Sequence, residues 1–396
     1  MEMKNLKNTE KALIVGLVIA IFIVVGYSLT EYYDFTPEKE SKQVISRRNE
    51  ELMAKKRLVS EIDANLSKQI EQLNLEIINF SSKEEKTQIS NEISFQMEVK
   101  KGQIKVPTYS RHPKTINQVE EELNQAIKEA GGTIFRSILV ESEEKVEKML
   151  FYGFKNDYHE MVVSHQYTLI KEMPRARLSF VIDDLGYSWP EFDRMMTIPR
   201  PMTFAVLPHL PNSTKHATRV LEEEYDLILH QPMEPISDYN PGKGAIYSGM
   251  TEEEINQILD KNLASLPEGI IGVNNHMGSK ATADSQVMKS VLKYFKEKDM
   301  FFVDSRTSPR SVVKEVAQQV GEKYAVNYLF LDNVDEQEVI EEQIMKAGKL
   351  ALKNGSVIAI GHVKNYTAKA ILASIDELEE MGVQIIGVRK LIFSKS

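Results

Sequence analysis

The sequence predicts an α/β protein whose C-terminal half is a barrel-like (β/α) domain of seven or eight parallel strands. Three observations predict it. From residue 174 onward, short apolar runs alternate with amphipathic stretches, the pattern of parallel strands joined by crossover helices. The units are short and evenly spaced, which suits a compact and incomplete α/β barrel better than a doubly wound sheet. Nearly every apolar run ends in polar residues of the kind that hold metals or move protons.

The elements ahead of the barrel differ in kind. Residues 12–29 read ALIVGLVIAIFIVVGYSL, with no charge and enough length to cross a hydrocarbon core. A cleavable signal peptide would have a shorter apolar region and an A-x-A-like site, and neither is present. Lys4, Lys7 and Lys11 precede the span and no Lys or Arg follows it until Lys39. The expected topology is therefore a cytoplasmic tail (1–11), a single membrane span (12–29) and an extracytoplasmic remainder anchored at the cell membrane. The absence of cysteine fits a domain without disulfides. A net charge of −9 argues against a nucleic-acid partner, which would call for a basic face.

Residues 30–101 are expected to form a helical stalk. Val59, Ile62, Leu66, Ile70, Leu73, Ile77 and Phe80 step by three or four, a narrow seam that suits a solvated helix or a short coiled coil joining identical chains. Ile89, Ile93 and Met97 extend the spacing. A composition change at 102–113 marks a boundary, and 102–173 reads as a small α+β domain. Its helix spans 115–130, ended by Gly131-Gly132, and its strands are 134–140, 148–154 and 158–170. His159 and His165 are placed on one face of the last strand, with no partner that would make them ligands.

The barrel domain, 174–396, supplies strands at 178–182, 202–207, 226–229, 270–273, 301–303, 327–331, 357–360 and 384–388. Helices are expected at 215–224, 252–263, 285–297, 311–320, 336–352 and 367–381. The strand tips read Asp183-Asp184, Pro208-His209, His230, Asn274-Asn275-His276, Asp304-Ser305-Arg306, Asp332-Asn333 and Gly361-His362. Of eight histidines, His209, His230, His276 and His362 fall at these tips and His216 lies nearby. One such histidine would read as structural, and Asp184 alone would read as a helix cap. The set reads as a site.

Carboxylate and imidazole ligands without thiolates suit Zn²⁺ or another borderline divalent ion such as Mn²⁺ or Co²⁺. Such an ion activates water, a spare carboxylate takes a proton and a spare imidazole gives one, which is the chemistry of amide or ester hydrolysis. No G-x-S-x-G elbow and no Cys is present for a covalent acyl-enzyme, and no Gly-rich phosphate loop occurs. The loop 237–249, with Tyr239 and Tyr247, is open to three readings: a lid, a sugar-stacking wall or a merely ordered loop.

With VIDDLG, FAVLP, HQPMEP, GVNNHMGS, VDSRTS and IGH in this order, the region from about 176 to 393 resembles the divergent polysaccharide deacetylases. These are remote relatives of the carbohydrate esterases that remove acetyl groups from cell-wall sugars. The resemblance implies Asp183 as general base and Asp184 as metal ligand. Where those enzymes carry His-x-x-x-His, this chain has His230 through Glu234, so His230, Glu234 and His276 are the implied further ligands. His362 is implied as the catalytic histidine and Asp304 as the aspartate that orients it. Asn274, Asn275 and Ser279 stand where an Arg-containing motif is missing. With Arg306 they are the candidates for substrate contact, against a reading in which they pair loop backbone, cap a helix or, for Arg306, pair an Asp.

The expected function is a membrane-anchored, metal-dependent hydrolase of the cell envelope that deacetylates a polysaccharide or peptidoglycan. The alternative is a non-catalytic barrel that binds a glycan or an envelope protein. It is suggested by the Glu-for-His exchange and the missing Arg motif.

Overall fold

The computed structural model describes residues 42–91, 93–187 and 189–393. The expected tail, the expected span 12–29 and the first residues of the expected stalk lie outside the described residues. Among the described residues no helix is long and apolar enough to cross a membrane.

The stalk reading is corrected. Helix α1 (Lys42–Gln72) is followed by strands β1 (Glu76–Gln88) and β2 (Ser94–Lys105), which pair antiparallel. They join a five-stranded sheet with α2 (Ile116–Glu129), β3 (Thr133–Glu141), β4 (Lys145–Lys155) and β5 (Met161–Glu172), in the order β1-β2-β5-β4-β3. The small α+β unit thus begins at α1. The seam was read correctly as helical only through Ile70: Ile62, Leu66 and Ile70 are buried against Val119, Leu123 and Ile127 of α2. Those residues are spent inside the chain rather than on a second copy.

Beyond α1 the spacing misled for a physical reason. Met97 joins Phe95 and Val99 on the buried face of β2 through the strand period of two. Ile89 and Ile93 meet in the β1–β2 turn, where Ile89 N donates to Ile93 O at 2.8 Å, and pack into the same cluster. Ile77 and Phe80, three apart, are 41% and 56% exposed on β1. His159 lies in the loop before β5 with φ +61, whereas His165 is buried on the strand and faces Asp63 of α1 at 3.2 Å. Helix α2 starts as expected, at a capping box made by Thr115 and Gln118.

The second sheet is wholly parallel. Its strands are β6 (Ala176–Leu185), β7 (Thr203–Val206), β8 (Asp226–Met233), β9 (Gly272–Met277), β10 (Phe301–Asp304), β11 (Tyr324–Val326), β12 (Leu329–Phe330), β13 (Ser356–His362) and β14 (Val383–Ile385). The order is β11-β10-β9-β8-β7-β6-β13-β12, with β14 alongside the start of β6. This is an incomplete (β/α) barrel. β11 pairs with β10 and β12 with β13, so the chain itself crosses the open seam through Asn327 and Tyr328. The crossover helices are α3 (Trp189–Met195), α4 (Ser213–Glu222), α5 (Glu252–Ala264), α6 (Ser285–Glu297), α7 (Val313–Val320), α8 (Gln337–Asn354) and α9 (Thr367–Glu380). The last described element is α10 (Val388–Phe393), where a strand was expected to continue to 388.

Alternation along the strands sorts two apolar layers. Leu178, Phe180, Ile182, Leu227, Leu229, Val273, Phe302, Val357 and Ala359 face the helices. Val181, Ala205, Ile228, Val303, Ile358 and Ile360 face inward, where Val388 and Leu391 of α10 close the floor. The small unit meets the barrel beside that floor: the Arg111 guanidinium lies 3.9 Å above the Tyr225 ring, and Gln384 Nε2 donates to Thr108 O at 3.0 Å.

Candidate metal centre

Moving up the inward rows from this apolar floor, the next residues are polar. Asp183 follows Val181, His230 follows Ile228, Ser305 follows Val303 and His362 follows Ile360. Asn274 and His276 take the same face of β9. Register brings neighbours together: His362 pairs with Asp183 across β13 and β6, and His230 with Asn274 across β8 and β9. The barrel therefore stacks its chemistry one layer above its core, at the C-terminal ends of the strands.

Asp184 would face the helices if β6 alternated regularly. It does not. The pairing of β6 with β7 shifts register between Ile182 and Leu185, and Asp184 adopts φ +66. Such a bulge re-aims a side chain, and the left-handed backbone costs about 1 kcal/mol or more. Gly186 completes the turn at φ +122, its N–H donating to His216 Nδ1 at 3.1 Å. His216 in turn stacks on Phe192 at 4.0 Å.

The result is a convergent cluster. Asp184 Oδ1 lies 3.2 Å from His230 Nε2 and 3.2 Å from His276 Nδ1, and the two ring nitrogens are 3.1 Å apart. All three atoms fall within 4.8 Å of one another. Asp184 Oδ1 is buried yet makes no hydrogen bond of good geometry. One carboxylate oxygen and two imidazole nitrogens facing a common point form the donor set of a divalent ion. These three residues fit a metal. Burial alone would raise the Asp184 pKa, but the His230 and His276 contacts outweigh it and hold the carboxyl well below the usual range. Burial disfavours charge on His230, and the carboxylates of Asp183 and Asp184 reverse that, holding its pKa up to about 8.

Two further groups flank the cluster. Asp183 is buried, with Oδ2 3.7 Å from His230 Nε2 and Oδ1 accepting from Asn274 Nδ2 at 2.7 Å. Burial raises its pKa against the pull of His230 and His362. His362 Nδ1 meets Asp332 Oδ1 at 2.8 Å, while Asp332 Oδ2 accepts from His362 N at 2.6 Å and from Thr367 Oγ1 at 2.7 Å. Burial works against charge on His362, but Asp332 outweighs it and raises the pKa.

The family model for divergent polysaccharide deacetylases matches residues 180–392. The chain belongs to this family. A protein of Haemophilus influenzae described as uncharacterised is 33% identical over 217 residues, 55% of this chain and 77% of that one. YibQ of Escherichia coli, also described as uncharacterised, is 32% identical over 196 residues, 50% of this chain and 61% of YibQ. The crystal structure of an uncharacterised Agrobacterium tumefaciens protein aligns over 56% of this chain and 90% of that one. Its TM-score is 0.53 at 20% identity, a likeness of fold.

Within this divergent polysaccharide deacetylase barrel, several expected residues have other tasks. Glu234 does not join the cluster: it accepts from Lys280 Nζ at 2.8 Å and Ser248 N at 2.8 Å, tying two loops together. Asp304 does not orient His362. It sits in step with Phe302 on the helix side of β10, accepting from Arg306 N and from Ser311 Oγ at 2.8 and 2.7 Å. Asp332, in step with Phe330 on the inner side, takes that place. Alternation alone could not carry this distinction, since FFVD and LFLD both place the Asp two residues after a Phe; the facing of Phe302 and Phe330 decides it.

Asn274 is fully buried and joins Asp183 to His230. Asn275, also buried, fixes the loops through Met277 O at 2.7 Å and Ser305 N at 2.9 Å. Ser279 Oγ accepts from Ile236 N at 2.9 Å. Both asparagines spend their amide groups on hydrogen bonds within the frame of the site. Arg306 is exposed, with φ +58. The loop 237–249 is ordered and pinned rather than lid-like: Gly244 O accepts from Gln231 Nε2 and Asn262 Nδ2 at 2.9 and 2.8 Å, and Asn262 Oδ1 meets His209 Nε2 at 2.8 Å. It presents Tyr239, 75% exposed, to solvent.

Proposed function

We propose that the protein is a metal-dependent hydrolase that removes acetyl groups from a glycan of the cell envelope. The observation that carries this reading is the convergence of Asp184, His230 and His276 beside Asp183 and the Asp332–His362 pair. Asp184, His230 and His276 would hold the ion, with Zn²⁺ the best match to one oxygen and two nitrogens and Mn²⁺ or Co²⁺ the alternatives. A divalent cation there supplies Lewis-acid polarisation of the acyl oxygen and a water acidified toward a pKa of about 7.

The chain's own residues would do the rest. Asp183, buried and raised in pKa, takes the proton of the attacking water. His362, its pKa raised by Asp332, gives a proton to the leaving nitrogen or oxygen of the sugar. Exposed Arg306 and Tyr239 lie on loops at the same end of the barrel, available to an extended glycan. The apolar span at 12–29 supports a single-pass anchor with the barrel on the outer side of the membrane.

The test is metal analysis and acetate release on purified protein, with acetylated chitooligosaccharides and acetylated peptidoglycan as substrates and Zn²⁺, Mn²⁺ or Co²⁺ added. Stoichiometric metal that is lost in Asp184→Ala and His276→Ala, with metal-dependent acetate release, is the expected result. Equal, negligible metal in all three proteins overturns the reading.

A further inference from the structure

Asn274 sits between the two halves of the centre, completely buried on β9 beside its cross-strand neighbour His230. Its amide has one end that donates and one that accepts. The Asp183 carboxylate only accepts, so the NH₂ end faces it at 2.7 Å and also approaches Ser305 Oγ at 3.3 Å. The carbonyl end is then committed to His230 Nδ1 at 2.8 Å, where it can only accept. The Nδ1 of His230 must therefore carry a hydrogen. A neutral imidazole has one N–H, which leaves the lone pair on Nε2, the nitrogen that faces Asp184 Oδ1 and His276 Nδ1 at 3.2 and 3.1 Å.

We propose that Asn274 is a positioning residue that locks His230 in its Nδ1–H tautomer and, through the same amide, holds the Asp183 carboxylate in place beside the metal ligands. Partners of this kind behind a metal-binding histidine fix both its tautomer and its ring orientation. A carboxylate or a main-chain carbonyl is the usual partner; an amide adds a second function, because its other end grips the proposed base. One side chain thereby sets the relative geometry of ligand and base, and it does so without contact to ion or substrate. The inference rests on the metal-site reading above, but its first readout does not need a metal.

The experiment uses the full chain stripped of metal with a chelator, labelled with ¹⁵N-histidine and held at alkaline pH, above the His230 pKa of about 8, so that the ring is neutral. Long-range ¹⁵N–¹H correlation reports the tautomer of each imidazole, with His230 identified by its loss in His230→Gln. The wild type and Asn274→Asp, which keeps an acceptor at the same place, are expected to show Nδ1–H at His230. Asn274→Leu, similar in size but without an acceptor, is expected to show a mixed or Nε2–H population. In calorimetric titration with Zn²⁺ or Co²⁺, Asn274→Leu is expected to bind about 10–100-fold more weakly than the wild type. Ser305→Ala is expected to match the wild type in both measurements.

An Nε2–H tautomer in the wild type overturns the proposal, as does its appearance in Asn274→Asp. So does an Asn274→Leu protein with wild-type tautomer and wild-type affinity. If Asn274→Leu does not fold, the tautomers of the wild type and Asn274→Asp decide alone. If the wild type binds neither ion, the metal-site reading fails, and the tautomer measurement still decides the role of Asn274.

Discussion

Asp332→Asn separates the proton-donating half of the centre from the metal-binding half. Asp332 is fully buried, and its Oδ2 accepts from the main-chain N–H of His362 and from Thr367 Oγ1. A main-chain N–H cannot change role, so an asparagine there must keep its carbonyl oxygen in the Oδ2 position. Its NH₂ then faces His362 Nδ1, where the carboxylate stood at 2.8 Å. An imidazolium would place N–H against N–H, so only the neutral ring is accommodated. The lost interaction is a hydrogen bond between charged groups, worth about 1.5–3 kcal/mol. The whole contribution of a general acid is about 10²–10⁴-fold in rate. We expect kcat for acetate release to fall within that range while metal content stays at the wild-type level, since Asp332 does not touch Asp184, His230 or His276. The pH profile carries the sign: a general acid works below its pKa, and Asp332 raises that of His362. Activity is therefore lost as pH rises through the raised value, and Asp332→Asn moves this alkaline limb to lower pH. A variant that keeps kcat within about threefold of wild type at equal metal content refutes the reasoning.

Further expectations follow from contacts away from the ion. Glu234→Gln should bind metal like the wild type and lose only the partly exposed Lys280 pair, worth about 0–1 kcal/mol; a drop in bound zinc would restore Glu234 as a ligand. Gly244→Ala should destabilise the barrel in chemical denaturation. Its φ of +78 disfavours a side chain, and the added Cβ would fall 2.1 Å from Asn262 Oδ1; left-handed strain alone is about 1–2 kcal/mol. Unchanged stability would show that loop 237–249 is not pinned through Asn262. Leu66→Ala should cost about 2–5 kcal/mol in the small unit, read by hydrogen exchange along α1 and α2. A change in oligomeric state with no local loss of protection would return the seam to an intermolecular role.

Much of the centre was legible because strands alternate and because carboxylates and imidazoles, costly to bury inside parallel strands, gather at their ends. Asp183, His230, Asn274 and His362 stand at such ends, in step with Val181, Ile228, Gly272 and Ile360. The six barrel helices expected from amphipathic spacing occur near their expected bounds for the same reason: each must bury one stripe against the sheet. The short α3 and α10, with fewer than two full turns each, carry too few residues for periodicity to register.

By itself, the sequence determined an α/β barrel with a ring of polar strand tips, a chemistry of carboxylate and imidazole, and an apolar span ahead of it. Tertiary structure decided which of those tips act together. A bulge turned Asp184 against its own alternation and into the cluster, a choice made by pairing with β7. The adjacency of β12 and β13, distant in order from β10, gave His362 to Asp332 rather than Asp304. His276 from β9 completed the donor set, while Glu234, just past the end of β8, was drawn away by Lys280. Residue types and their periodicity fix what a strand tip can do; only the register between strands fixes what it can reach.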